Sequence, residues 1–103
     1  MTDLQLGQRV TFPKVLTRVT RPSERGHRGD DKTWERMPDW ASRGRMTGVV
    51  VGLRTLQNGY TVWGTWQQPT TWHATGTVTA VLVATHMRRK PALVHIDDIE
   101  AAD

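Results

Sequence analysis

The sequence contains no cysteine, and it has only one tyrosine and one phenylalanine among its 103 residues. Without cysteine the chain has no disulfide bridge, thiol nucleophile, zinc finger or iron–sulfur cluster. Its longest apolar run, Ala80–Ala84, is far too short to cross a bilayer as a helix, and the N-terminal MTDLQLGQRV has no signal-peptide core. We therefore expect a cytoplasmic protein with no membrane partner.

Residue patterns suited to catalysis are also missing. Ser23 and Ser42 are the only serines, and no G-x-S-x-G motif surrounds either of them. The acidic pairs Asp30-Asp31 and Asp97-Asp98 are adjacent in sequence, so their side chains diverge on an extended chain and do not suit paired acid–base catalysis. We expect no catalytic residue, no cofactor and no enzymatic activity.

Three histidines and one aspartate in the C-terminal half are candidate metal ligands. His95 and Asp97 share one face of a predicted strand, His86 lies on the preceding strand, and His73 is in the same half of the chain. A site of two histidines and one carboxylate is therefore geometrically possible. Because no spacing matches a motif such as H-E-x-x-H, scattered surface histidines are the preferred interpretation, and no metal is predicted.

Threonine and valine are abundant, with 15 and 11 residues, and both favour β-strands. Alternation at Val10 and Phe12 predicts a first strand. Asn58-Gly59 lies between two β-patterned runs and predicts a tight hairpin turn, because both residues tolerate positive φ. A terminal turn or short helix is expected after the last strand. The later predicted strands are Met46–Leu56, Tyr60–Gln67, Thr77–Thr85 and Ala92–Ile96.

The segment Arg21–Arg45 has a different character, with five glycine or proline residues and almost no aliphatic side chain. Loops longer than about 12–15 residues are usually functional or disordered. The sequence therefore predicts a long polar insertion loop at about 21–45 in a single domain spanning 1–103. Within it, Asp30–Met37 can form one helical turn that ends before Pro38.

The order LxLGxxVxF, a long loop, GVVVGLRTLQNGY and ALVHIDDIE resembles an SH3-like small β-barrel of the Tudor/KOW type. The layout over residues 4–100 also resembles small proteins of actinobacterial phages. The resemblance implies a mainly β fold, a five-stranded, strongly bent small barrel with a long loop after the first strand. Small barrels serve nucleic-acid, peptide and scaffold roles alike, so the fold alone does not assign a function.

Charge gives the first indication of a partner. Fourteen Lys and Arg residues against ten Asp and Glu give a net charge of +4, and eleven of the fourteen bases are arginine. Bases interleaved with tryptophans are typical of nucleic-acid surfaces, and the same residue types with mixed charge are typical of protein interfaces. The candidate partner-binding residues are Arg21, Arg25, Arg28, Lys32, Trp34, Arg36, Trp40, Arg43 and Arg45.

Five acids accompany eight bases between Arg18 and Arg45, and such acids repel phosphate. The preferred hypothesis is therefore a non-catalytic, phage-type accessory protein, monomeric or dimeric, that engages a host or phage protein through this loop. The alternatives are a DNA- or RNA-binding barrel that uses the same loop, and a head–tail or decoration component of a virion. In a structural interpretation, Trp34 and Trp40 instead close an open end of the barrel.

A second aromatic group, Trp63, Trp66 and Trp72, follows the predicted turn. Strand alternation points Trp63 and Trp66 to opposite faces, and a barrel of this size cannot enclose both. At least one of these tryptophans is therefore expected at the surface or against the long loop.

Overall fold

The chain folds into a set of antiparallel β-strands. The computed structural model describes residues 4–23, 28–38, 44–86 and 88–102. Within these ranges there is no α-helix, and no helix is long and apolar enough to cross a membrane. One short 3₁₀ helix, Ile96–Asp98, follows the sixth strand. The strands are β1 (Arg9–Phe12), β2 (Val15–Pro22), β3 (Gly29–Met37), β4 (Met46–Val62), β5 (Thr71–Ala84), β6 (Ala92–His95) and β7 (Glu100–Ala101).

The long strand β4 is the centre of the sheet. Its N-terminal part pairs with β1, which in turn pairs with β7, and its C-terminal part pairs with β3, which pairs with β2. On the other side β5 pairs with β4 from Val49 to Val62, and β6 pairs with β5. The prediction of a mainly β fold is confirmed. The sheet has seven strands in the described residues, where five were predicted, and it is not closed.

The main core lies where β1, β4, β5 and β6 meet. Alternate residues of each strand point to the same face, so short Val-rich runs from several strands combine into one apolar cluster. The inward alternation predicted for the first strand is confirmed. A smaller cluster of Leu16, Leu56 and Ala80 joins β2 to the β4–β5 pair. The main cluster consists of Val10, Phe12, Val50, Val81, Val83 and Val94.

The prediction of a loop and a helical turn over 21–45 is wrong for much of this segment. β2 continues to Pro22, and β3 covers Gly29–Met37 in an extended conformation, paired with β2 from Pro22↔Asp30 to Val15↔Met37. A backbone bond from Ser23 N to the Gly29 carbonyl closes the hairpin. This strand is polar on both faces, so its hydrophobic pattern does not reveal it; hydrogen bonds to its neighbours form it.

The prediction of a turn at Asn58-Gly59 is also wrong. Both residues lie inside β4, and the connection between β4 and β5 is formed by residues 63–70. The register shifts between Asn58 and Gly59, and Gly59 does not have positive φ. A β-carbon on Gly59 would lie 2.6 Å from Cζ2 of Trp72, so this glycine permits close packing of β5 on β4.

The C-terminal predictions hold better. A short closing strand is present as β6, and the predicted terminal turn or short helix is the 3₁₀ helix after it. His95 caps this helix, because its Nδ1 accepts a hydrogen bond of 3.0 Å from the Asp97 backbone N–H.

Candidate functional site

Basic and acidic residues are mixed in the sequence of β3, and the pleat of the strand places several of them on opposite faces. Successive side chains of a strand point to opposite faces, so Lys32, Trp34 and Arg36 lie on one face and Asp31 and Glu35 on the other. Trp34 packs on the smaller core cluster, which fixes its face as the inner one. Two of the acids predicted to weaken a phosphate-binding surface are therefore on the opposite side of the strand from the tryptophan.

The outer face of this hairpin carries an ion pair. Arg21 donates two hydrogen bonds to the carboxylate of Glu35, one of them at 3.2 Å, and the Thr33 hydroxyl donates a third at 2.8 Å. The hydrogen bonds from Arg21 and then from Thr33 lower the pKa of Glu35. Arg21, a predicted partner-binding residue, is thus already engaged within the protein.

Two further predicted arginines are paired with the C-terminal acids. Arg36 donates from Nε to Oδ2 of Asp98 at 2.9 Å and makes a second bond through Nη2. The hydrogen bonding from Arg36 lowers the pKa of the Asp98 carboxyl. Arg45 pairs with Glu100. The first contact joins β3, and the second joins the residue before β4, to the end of the chain, and both reduce the positive charge available to a partner.

Of the remaining predicted site residues, Arg28, Lys32 and Trp34 lie in the described part of the chain. Arg28 is exposed, and its carbonyl accepts a hydrogen bond from Trp63 N at 2.8 Å. Lys32 is half-buried between β2 and β4. Arg25, Trp40 and Arg43 lie outside the described residues. A binding role for the predicted set stays a prediction.

A groove opens where β3 leaves β4. The two strands pair only from Gly29↔Val62 to Lys32↔Gly59. Beyond this point the Asn58 side chain continues the contact, because its Oδ1 accepts the Trp34 backbone N–H at 2.8 Å. The strands then diverge and leave an open groove of about 420 Å³, which we call the split-strand groove.

The split-strand groove combines aromatic and cationic walls. Trp72 lies across Gly59, and its Nε1 donates to Oε1 of Gln57 at 3.4 Å. No acidic side chain is among the described residues that line it. The lining residues are Arg18, Trp34, Arg54, Thr55, Leu56, Gln57 and Trp72.

The far end of the β4–β5 hairpin carries the most exposed tryptophans of the described residues. Trp66 is 91% exposed and Trp63 is 54% exposed, and Trp72 at the start of β5 is 39% exposed. The expectation that at least one of the three lies at the surface is confirmed. On the face of the hairpin opposite Trp72, Tyr60 and His73 stack with ring centroids 4.9 Å apart.

The same hairpin presents an open strand edge. β6 pairs with β5 only over Ala80–Val83, so the outer edge of β5 from Thr71 to Thr79 has no strand partner within the described part of the chain. Every residue of Thr71–Thr77 is exposed. A sequence signal for this region exists and was missed: no Asp, Glu, Lys or Arg occurs between Arg54 and Arg88.

His73, His86 and His95, the histidines that the structure describes, do not gather into a metal site. His95 contacts Asp97 as a helix cap, whereas His73 stacks on Tyr60 and bonds to the Thr71 hydroxyl at 2.9 Å. Among the described residues, no three His, Asp or Glu side chains are placed to hold one ion.

Comparisons with known proteins assign no family. The chain has no significant match among protein-family models, curated proteins or solved structures.

Proposed function

We propose that the protein is a non-catalytic interaction module that binds an extended segment of a protein partner at the far end of the β4–β5 hairpin. The observation that carries the proposal is the combination of exposed Trp63 and Trp66 with the unpaired edge of β5. We place this module with the SH3-like small barrels and assign it an accessory role of the phage type, with a host or phage protein as its partner in the cytoplasm.

The tryptophans supply the anchoring surface of this proposal. Exposed tryptophan is enriched at the energetic centres of protein interfaces, because it buries a large apolar area and fixes few rotatable bonds. Trp66 is almost fully exposed in a connection that contains only glycine, threonine, glutamine and proline besides the two tryptophans. A partner can therefore cover these indoles without burying a charge.

The edge of β5 supplies the hydrogen bonds. An unpaired strand edge binds an extended chain by adding a strand, and natural proteins usually protect such edges with charged side chains or proline. β5 carries neither, and its only protective feature is the register shift opposite Asn58 and Gly59. The main-chain groups of Thr71–Thr79 are thus accessible to a partner strand.

A capture experiment from nuclease-treated host lysate tests this proposal. Wild-type protein is expected to retain a specific partner, and the double variant Trp63→Ala/Trp66→Ala to lose at least about 2 kcal/mol of affinity for it. The matched control Leu6→Ala/Leu53→Ala removes exposed apolar side chains elsewhere, at 76% and 61% exposure, and should bind normally.

Strand addition itself is tested by introducing a charged side chain at the open edge of β5. Thr77→Lys places a charge beside the open edge of β5 and should weaken capture, because edge lysines oppose strand pairing. Thr47→Lys makes the same change at an exposed position of β4 that pairs with β1, and should have no effect. Equal capture by wild type, the tryptophan double variant and Thr77→Lys would exclude this surface as the binding site.

A further inference from the structure

Two arginines in the split-strand groove have no acidic partner among the described residues. Arg18 on β2 and Arg54 on β4 are exposed, and neither makes an ion pair with any residue of the described segments. This distinguishes them from Arg21, Arg36 and Arg45, whose charges are used inside the protein. Guanidinium groups bind phosphate and carboxylate through planar, bidentate hydrogen bonds. The groove therefore suits an anionic ligand.

The two indoles of the groove are held in place before any ligand arrives. Trp34 rests on the buried cluster of Leu16, Leu56 and Ala80 and is fixed through its backbone N–H. Trp72 lies across Gly59, where the missing side chain lets the ring approach the strand. Aromatic walls on secondary structure elements offer flat surfaces on which a planar group can stack without ordering a loop.

We infer that the split-strand groove binds single-stranded nucleic acid, with Arg18 and Arg54 on phosphates and unpaired bases against Trp34 and Trp72. An acidic peptide satisfies the arginines but supplies no planar group for the indoles. A duplex supplies phosphates but keeps its bases stacked inside the helix. Because the groove is open instead of enclosed, it can accept part of a continuing strand.

The placement of the neighbouring acids agrees with this assignment. Asp31 and Glu35 project from the face of β3 opposite Trp34, and Glu35 is held by Arg21. Asp30 shares the face of Trp34, but it pairs with Thr61 at the far side of the separation point and does not line the groove. This inference shares only Trp72 with the proposed protein-binding surface, whereas Arg18, Trp34 and Arg54 lie outside that surface. The variant Arg18→Ala/Arg54→Ala therefore tests the groove independently of the β5 edge.

The test is fluorescence anisotropy with a labelled oligothymidylate and the full-length protein at several salt concentrations. The double variant Arg18→Ala/Arg54→Ala should bind more weakly. Its plot of log affinity against log salt concentration should be less steep by about 1.4, since each phosphate contact on a single strand contributes about 0.7. Arg88→Ala/Arg89→Ala makes the same change in net charge at exposed positions outside the groove. This control should keep the wild-type slope.

The aromatic contribution is measured with a second pair of variants. Trp72→Ala should weaken binding roughly 5- to 150-fold, because stacking on one aromatic ring contributes about 1–3 kcal/mol per base. Leu6→Ala, which removes an exposed apolar side chain outside the groove, should bind like wild type. Trp72→Phe keeps a stacking ring and should recover part of the affinity.

Three results would overturn the inference. The first is no oligothymidylate binding at low salt. The second is an equal loss in the two arginine double variants, which would show that only the overall charge attracts the strand. The third is equal or tighter binding of duplex DNA or of an acidic peptide in competition, which would show that the indoles do not receive bases.

Discussion

The two ends of the β4–β5 hairpin share the same strand pairing but have opposite environments. At one end Val50, Val81 and Val83 are at most 2% exposed, whereas at the other end every residue of Thr71–Thr77 is exposed. Both ends are uncharged and rich in threonine, valine or aromatic residues, and β4 pairs with β5 at each of them. The pairing of the hairpin therefore does not decide what is buried.

The difference comes from the strands that surround each end. β1 and β6 flank the buried end and add Val10, Phe12 and Val94 to its core. At the exposed end β3 is the only described strand that flanks the β4–β5 pair, and the edge of β5 has no neighbour in the described ranges. Apolar residues become core where several strands converge and remain available for binding where they do not.

The largest expected effect is a loss of stability when the packing at the buried end is disrupted. Phe12→Ala removes a fully buried ring from β1 and should lower the free energy of unfolding by about 3–5 kcal/mol. Urea denaturation measures this, with Leu53→Ala as the exposed control at 61% exposure. A loss below about 1 kcal/mol for Phe12→Ala would mean that the two ends do not differ in packing as described.

A smaller effect is expected from adding one methyl group at the middle of the hairpin. Gly59→Ala should cost about 1–3 kcal/mol, because its β-carbon would collide with the His73 carbonyl oxygen and the Trp72 ring. Gly76→Ala, next to it in the ladder opposite Asn58, meets no atom within 4 Å and should be neutral or slightly stabilising. Equal stabilities of the two variants would argue against the close packing at Gly59.

The hydrogen bond from the Trp34 N–H to Asn58, at the start of the split-strand groove, should contribute less to the free energy of unfolding. Asn58→Ala removes the acceptor of the Trp34 N–H, so we expect a loss of about 1 kcal/mol and faster hydrogen exchange at that amide. Asn58→Asp keeps an oxygen acceptor and should restore protection. An unchanged Trp34 exchange rate in Asn58→Ala would contradict the role given to this side chain.

The smallest expected effect depends on pH. Hydrogen bonding from Arg36 lowers the pKa of Asp98, so the pair stabilises the folded state at pH values above the ordinary carboxyl pKa of about 3.9. This stabilisation is lost as the pH falls through the lowered pKa. Asp98→Asn should therefore reduce the Tm slightly near neutral pH, and the difference from wild type should vanish in acid.

A neighbouring residue provides the control for this pH dependence. Asp97→Asn makes the same charge change at a side chain that is 70% exposed and should leave the Tm nearly unchanged at every pH. A difference between Asp98→Asn and wild type that persists at the most acidic pH would show that Asp98 stabilises the fold through something other than its charge.

The sequence was a good guide where local pattern and burial agree. The alternation at Val10 and Phe12 predicted β1, and the Ala92–Ile96 run predicted β6, because their apolar residues face a core formed by neighbouring strands. It was a poor guide for β3, whose polar residues are extended because the strand exchanges backbone hydrogen bonds with β2 and β4. The turn predicted at Asn58-Gly59 was wrong for a related reason. Both residues lie inside β4, where the Asn58 side chain accepts the Trp34 N–H of β3 and Gly59 leaves room for the Trp72 ring.

For the candidate site, too, the sequence was a guide to local features and not to contacts between distant segments. The sequence identified an arginine- and tryptophan-containing segment but could not tell which arginines are already paired. Arg36 meets Asp98 only because the fold brings positions 62 residues apart together. Arg54 and Trp72 were not among the predicted binding residues, since their proximity to Trp34 depends on where β3 leaves β4.

Composition and alternation by themselves determined that this chain is mainly β, that its N-terminal strand buries Val10 and Phe12, and that its tryptophans cannot all be enclosed. These properties follow from side-chain chemistry and from the two-residue period of a strand, which act locally. The tertiary structure decided which strand edges are paired, which arginines are neutralised and where the groove opens. Such properties depend on contacts between distant segments, and no local pattern specifies the partner that a polar strand will find.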